Sequence, residues 1–289
     1  MKFWQVISWC ETGHIVEVAR HAEQVGFEGI LLADHIFYPR ESRSHYHYSD
    51  DGQSVQNQDM EFADPLISFA AVASVTSTLK MMTGIYILPL RHPVEAAKNM
   101  ATLARLSNDR FQLGFGAGWM QEEFEQLGVD FASRGRRMDE MLDIMQGLWR
   151  GEPVTYSGAH FNLDAIQIRP FPKRPIPIIG GGLSGVAMRR AVEKCDGWYG
   201  PGNTLAELKD IVPGLRQARR DAQRSVEDYQ IIAPLTEPLT LENCAQMEAM
   251  GITGTVSYPF LFGIGPDASL DQKKAYMDAF AGRFIARDR

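Results

Sequence analysis

Gly26-Phe27-Glu28-Gly29-Ile30-Leu31-Leu32-Ala33-Asp34-His35 runs from a turn through a short apolar stretch into an acid and an imidazole. A brief apolar run bounded by turn residues is the pattern of a strand buried on both faces of a parallel sheet. Polar groups at the C-terminal end of such a strand sit where α/β barrels and open α/β sheets place their chemistry. Upstream, Phe3 to Ser8 reads as another strand. Thr12 is expected to cap a helix running to Gln24, with Gly26 just past its end. Downstream, residues 36–62 lose periodicity and read as a long polar loop, a length that usually signals function or disorder.

The alternation continues to the C-terminus. Strands are expected at Lys80–Leu88, Arg110–Gly116, Pro175–Ile179, from Gly197 to Tyr199, at Tyr229–Pro234 and at Gly251–Tyr258. Helices are expected from Asp64-Pro65 through Ser77, at Pro93–Leu106, Arg134–Trp149, Ser184–Lys194, Leu205–Ser225, Leu241–Met250 and Leu270–Ile285. Trp119–Gly128 reads as a short inserted helix and Val154–Ile168 as a hairpin turning at Ser157-Gly158. Strands alternating with helices imply a parallel sheet. About eight such units fit an α/β (β/α)8 TIM barrel of usual size, about 250 residues plus insertions. The insertions fall after strands 2 and 4 and before strand 5, and residues 1–289 read as one domain. A doubly wound open sheet is the alternative, but no GxGxxG follows the first strand and the units run past six.

Composition narrows the classes. The chain is 45% hydrophobic and 22% charged, with net charge −7. An acidic balance argues against duplex binding, which rests on clustered Lys and Arg. No apolar run approaches the ~18 residues of a membrane span, and Met1–Ile7 is too short for a signal peptide before Glu11 interrupts it. Cys10, Cys195 and Cys244 are distant and odd in number, as expected of reduced thiols in a cytoplasmic protein.

Chemistry is sought at the strand ends. Gly180-Gly181-Gly182-Leu183-Ser184 combines a backbone open to close approach with a helix N-cap serine. It reads either as a phosphate site or as a tight capped turn. Gly114-x-Gly116-x-Gly118 is not a dinucleotide fingerprint; either a planar ring lies on bare backbone or the strand simply ends without side chains. Gly84 after Thr83 marks a bulge or a weakened strand. His35 is a candidate proton donor or base near neutral pH, or is tied to a neighbouring loop; Asp34 is a candidate to orient it or to accept a ligand hydrogen bond. His45-x-His47 with Asp50 and Asp51 lies in a polar loop without the rigid frame a metal site needs, so no metal is expected. Arg134-x-Arg136-Arg137 reads as a solvated first turn, with a phosphate contact as the other reading.

In their order, several of these features resemble the bacterial luciferase-like flavin and deazaflavin oxidoreductases. The carriers are Gly26-Phe27-Glu28 leading to Asp34-His35, Thr83-Gly84-Ile85, and Leu113-Gly114-Phe115-Gly116-Ala117-Gly118-Trp119 with Glu122-Glu123-Phe124 and Leu127-Gly128. Arg134-Gly135-Arg136-Arg137-Met138-Asp139-Glu140, Gly180-Gly181-Gly182 and Cys195-Asp196-Gly197-Trp198 complete them, so the resemblance spans nearly the whole chain. It implies a TIM barrel with a cofactor ring across the strand C-termini.

The Asp-His pair resembles the branch that uses coenzyme F420. That likeness implies Asp34 at the deazaflavin side and His35 near its reactive face. It also implies Thr83, Gly84 and Ile85 as a supporting bulge, often with a non-prolyl cis peptide. Gly116, Ala117 and Gly118 would lie against the ring, and Gly181, Gly182 and Ser184 would hold the phosphate. Trp9, Tyr86 and Trp119 would wall an apolar substrate pocket. Sugar-phosphate dehydrogenases of this branch carry Glu where this chain has Ala117, so their proton relay is not implied here. The expected activity is hydride transfer between the deazaflavin and a small organic substrate, in a homodimer. An FMN-dependent monooxygenase and a non-catalytic flavin-binding protein are the alternatives, and a metal-dependent hydrolase is a third.

Overall fold

The computed structural model describes residues 1–49, 51–265 and 267–285. The chain begins with β1 (Lys2–Val6), α1 (Ile15–Val25), β2 (Gly29–Leu32), α2 (Pro65–Ala73) and β3 (Lys80–Thr83). Next come the two-residue β4 (Tyr86–Ile87), then α3 (Pro93–Leu106), β5 (Phe111–Gly116), the short α4 (Gln121–Gln126) and α5 (Arg134–Trp149). A hairpin follows, β6 (Val154–Ser157) and β7 (Asn162–Ile166), then β8 (Ile178–Gly181), α6 (Gly185–Lys194) and β9 (Gly197–Tyr199). The chain ends with α7 (Leu205–Asp221), β10 (Gln230–Ile232), α8 (Leu241–Met250), β11 (Gly254–Ser257), α9 (Pro259–Phe262) and α10 (Leu270–Phe284).

Eight parallel strands close into a ring in the order β1, β2, β3, β5, β8, β9, β10, β11. The seams are Trp4 opposite Gly29, Met81 opposite Phe111, Leu113 opposite Ile178, and Lys2 opposite Gly254. This is a (β/α)8 TIM barrel. β4 prolongs β3 and pairs with β5 at Tyr86 and Phe115. The insertions fall after β2, after β5, and as the hairpin before β8, as the sequence implied.

Alternation along each strand divides the core. Trp4, Val6, Leu31, Met82, Ile179, Tyr199, Ile232 and Val256 fill the barrel interior. Phe3, Ile30, Met81, Phe111, Leu113 and Phe115 face the helices. A Cβ on Gly29 would collide with the Trp4 ring, so one indole fixes a glycine on the neighbouring strand. Each large side chain so buried contributes roughly 1.5–3 kcal/mol over leaving it in water.

Helix ends differ from the reading of the sequence at α1, at α2 and at α7, which stops at Asp221 and not Ser225. Thr12 does not cap α1. It opens a separate turn, Thr12–His14, and both its hydroxyl and its N–H donate to Glu61. α2 stops at Ala73 because hydroxyls compete for its last carbonyls: Ser74 donates to Ala71 and Thr76 to Val72. Glu23 then takes the N–H groups of Ser77, Thr78 and Leu79. Among the described residues no helix is long and apolar enough to cross a membrane.

Candidate active site

The C-terminal rim of the barrel is shaped first by a bulge between β3 and β4. The Gly84–Ile85 peptide there is cis. The Thr83 hydroxyl, fully buried, donates to the Gly114 carbonyl at 2.7 Å. The glycines of β5 answer this segment residue by residue. A Cβ on Gly114 would strike the Thr83 carbonyl, one on Gly116 would lie 2.5 Å from Ile85 Cδ1, and one on Gly118 2.7 Å from Ile87 Cγ2. Gly181, on the other side, would place a Cβ 2.9 Å from Ile85 Cγ2. Ile85 is therefore seated between two bare backbones and closes the top of the interior. On the side where a Cβ would stand, Gly114, Gly116 and Gly118 are met by the protein's own chain. Gly118 also needs its positive φ of 81°.

Asp34 and His35 diverge. Asp34 is engaged by Arg91, Nη1 to Oδ2 at 2.6 Å and Nη2 to Oδ1 at 2.8 Å, and its Oδ2 also accepts the Ile87 N–H. Burial opposes the Arg91 charge, but the Asp34 carboxylate overrides it and holds the guanidinium pKa above its ordinary value. Asp34 thus fixes the β4 turn, with both oxygens engaged by Arg91 and Ile87. His35 Nδ1 instead lies 3.0 Å from Oε2 of Glu123, a residue with no exposed surface, whose Oε1 accepts the Ile36 N–H at 2.7 Å. A carboxylate on Nδ1 selects the tautomer with its proton there and leaves Nε2 for the rim.

Aromatic side chains gather around His35. Phe62 and Trp119 pack edge-on to its ring, with centroids at 5.4 and 6.0 Å. Trp9 meets Phe62 and Tyr46 meets Trp119. Trp9 has φ of 61°, and its Nε1 is buried without a hydrogen-bond partner. A non-glycine residue in that conformation beside an unanswered donor is the kind of local irregularity that clusters at sites. Tyr86 is elsewhere: one residue past Ile85, it points out into the helix-facing core beneath Arg91. It is not a wall of the pocket.

A crevice of about 260 Å³ opens between the ends of β5 and β8 and the starts of α5 and α6. Ala117, Gly181, Ser184, Arg134 and Arg190 are among its lining residues. Ser184 is the N-cap of α6 and accepts the Ala187 N–H, as expected of it. Gly182 holds φ of 102°, and its carbonyl accepts from Trp198 Nε1. Arg134 stacks on Phe131 at 3.6 Å and donates to the Gly118 and Phe131 carbonyls, while Arg190 is paired with Asp139. A helix N-terminus facing an arginine is an anion site by its chemistry. Arg134 is therefore packed and hydrogen-bonded at the crevice wall and not in a solvated turn.

His45 and His47 pack on each other at 5.5 Å, and Asp51 accepts the Gln53 N–H of its own loop; Asp50 lies outside the described residues. Glu123 and Arg91 were absent from the candidates drawn from sequence, and Arg134 entered them only as the second reading of its turn. Only the adjacent acids Glu122-Glu123 in an inserted helix hinted at the first.

The family model for luciferase-like monooxygenases matches residues 10–283. An uncharacterized protein of Mycobacterium tuberculosis is 30% identical over 289 residues, covering 99% of this chain and 100% of the relative. The FMNH2-dependent dimethylsulfone monooxygenase of Pseudomonas fluorescens is 29% identical over 58% of this chain and 47% of its own. The F420-dependent glucose-6-phosphate dehydrogenase of Amycolatopsis mediterranei is 26% identical over 74% and 61%. In fold, the coenzyme F420-dependent tetrahydromethanopterin reductase of Methanopyrus kandleri superposes with a TM-score of 0.75, covering 100% and 99% of the two chains at 16% identity. The chain belongs to the luciferase-like monooxygenase family, and it is an oxidoreductase.

Proposed function

We propose that the protein transfers hydride between coenzyme F420 and a small organic substrate, with His35 as the group that gives or takes the accompanying proton. The observation that carries this reading is the buried Glu123 carboxylate on His35 Nδ1. It holds the ring in one tautomer and leaves Nε2 facing the rim, where a proton can be given or taken. The rim fits a flavin-type cofactor on two counts. Ile85 supplies an apolar platform at the bulge, and the crevice supplies Ser184, the α6 N-terminus and Arg134 for a phosphate. When bound, the deazaflavin supplies two-electron hydride chemistry. The chain's own residues orient, exclude water and move the proton. Trp9, Phe62, Trp119 and Tyr46 form the water-excluding wall around His35.

Fluorescence titration of the purified protein with F420 and with FMN tests the cofactor. Saturable F420 binding is expected. Tight binding of FMN with no affinity for the deazaflavin would replace this reading with an FMN-dependent monooxygenase, a cofactor class that the Pseudomonas relative also uses. His35→Ala is expected to retain cofactor affinity and to lose roughly 10²–10⁴ in turnover, the usual contribution of a general acid or base. Unchanged turnover on every accepted substrate would remove His35 from the mechanism.

A further inference from the structure

The rim carries a second polar device, a pair of tyrosines at the ends of β9 and β11. Tyr199 ends β9, four places round the eight-strand ring from β2, and its hydroxyl lies 2.9 Å from that of Tyr258, which follows β11. Tyr199 is 6% exposed and sits with the apolar interior residues Ile232 and Val256; Tyr258 is only half-buried and packs on that cluster from above, as do Trp9 and Ile85.

The direction of this hydrogen bond follows from burial. Each phenol has one proton to donate. If Tyr258 donated, the Tyr199 proton would be left without an acceptor in an apolar interior, and an unmet buried donor is costly. Tyr199 therefore donates and Tyr258 accepts. The Tyr258 proton has no acceptor among the described residues. A hydroxyl that already accepts a hydrogen bond is also the stronger donor. Burial raises the pKa of Tyr199 and of Tyr258, and burial with the neighbouring phenols Tyr258 and Tyr48 pushes Tyr46 to about 12. All three remain protonated donors at neutral pH.

Trp9 Nε1 is a further buried donor without a partner among the described residues. The carboxylates gathered there are both engaged, Asp34 by Arg91 and Glu123 by His35. A carboxylate substrate would find the Arg91 guanidinium already paired, and an ammonium would find both carboxylates already engaged. We propose that this rim selects a neutral organic substrate bearing a hydrogen-bond-accepting oxygen, a carbonyl or the corresponding alcohol, with Tyr258 as the residue that binds that oxygen and Tyr199 as its positioning partner. The proposal rests on the oxidoreductase reading of the same rim, so binding is measured apart from turnover.

The test is saturation-transfer NMR on the full-length protein with four probes of one shape: acetophenone, ethylbenzene, benzoate and benzylamine. Acetophenone is expected to bind roughly tenfold or more tightly than the other three, the scale of one hydrogen bond to a protonated donor. Tyr258→Phe should abolish its advantage over ethylbenzene. The pair Tyr199→Phe/Tyr258→Phe should do the same while leaving no buried hydroxyl unpaired, which covers the case of a single variant that folds poorly. Benzoate or benzylamine binding as tightly as acetophenone, or acetophenone affinity unchanged in both variants, would overturn the proposal. F420 titration of the same samples reads the hydride-transfer hypothesis separately. Its failure with the probe order intact would sink that hypothesis alone.

Discussion

Arg91→Leu tests whether Asp34 is a scaffold acid. The change keeps an apolar stem over Tyr86 and removes the guanidinium. The Asp34 side chain, 1% exposed, then keeps a single donor, the Ile87 N–H. Breaking one side of a buried pair costs about 3–5 kcal/mol. The variant can limit that cost by protonating the acid. At pH 7 this means holding a proton about three units above the ordinary carboxylate pKa, at about 1.4 kcal/mol per unit, so the ceiling is about 4 kcal/mol. The sign with pH follows. An unpaired buried carboxyl has its folded pKa raised above the unfolded value, so the penalty is largest above that folded value and shrinks as pH falls toward the unfolded one. The gap between parent and variant should therefore narrow by up to about 1.4 kcal/mol per pH unit between pH 7 and pH 5. Urea unfolding followed by tryptophan fluorescence at both pH values measures it. A loss under about 1 kcal/mol at pH 7, or one independent of pH, would refute the pairing as the role of Asp34 and return it to the cofactor.

Three other expectations follow from the structure. Gly116→Ala places a Cβ 2.5 Å from Ile85 Cδ1, so Ile85 must shift; F420 affinity in titration is expected to fall, and Gly116→Ala/Ile85→Ala to recover part of it. Burial pushes the thiols of Cys10 and Cys244 to about 11 and that of Cys195 to about 12, so in native buffer at pH 7.5 a chromogenic disulfide reagent should label none within minutes and all three after denaturation. Burial works against the Glu23 charge, but the N–H groups of Ser77, Thr78 and Leu79 outweigh it and hold its pKa below the ordinary value. Its stabilisation is present above the unfolded pKa and lost as pH falls through the folded one, so Glu23→Gln should flatten the acid limb of the stability profile.

The alternation of eight strands and helices was legible because strands buried on both faces carry short apolar runs with turn residues at their ends. The N-cap of α6 at Ser184 was legible for a similar reason, since cap chemistry is local. The roles of Asp34 and His35 were not. Adjacent in sequence, they look like a pair, but successive residues of an extended segment point opposite ways, one toward Arg91 and the other toward Glu123. The same parity sends Ile85 inward and Tyr86 outward, and a period of two read across the bulge would have found it. Glu123 lies 88 positions from His35, on a different insertion, so no local pattern joins them. The glycines of β5 were conspicuous, but what they make room for lies on another strand.

The two insertions act as one structure. Glu122 and its neighbour Glu123 sit side by side on α4 and bind the loop after β2 at two places. Glu123 holds His35 and Ile36, while Glu122 takes the N–H groups of Arg43 and Ser44 and the Ser44 hydroxyl. Ser44 in turn caps the start of α4 by accepting the Gln121 N–H, and Arg43 pairs with Glu125. Farther along the same loop, the Gly182 turn of β8 lies against the Tyr48 hydroxyl. The loop that would cover a bound substrate is therefore tied to the helix that fixes the histidine tautomer. A displacement of α4 acts on the cover and on His35 together, because one short helix supplies both carboxylates. The loop after β2 and the geometry of His35 are thus mechanically joined, whereas the crevice proposed for a phosphate, between β5, β8, α5 and α6, stands outside that linkage except through Tyr48. Substitutions at Glu122 should accordingly reach His35 chemistry without touching the histidine, and substitutions at Ser184 should change cofactor affinity and leave proton transfer as it was.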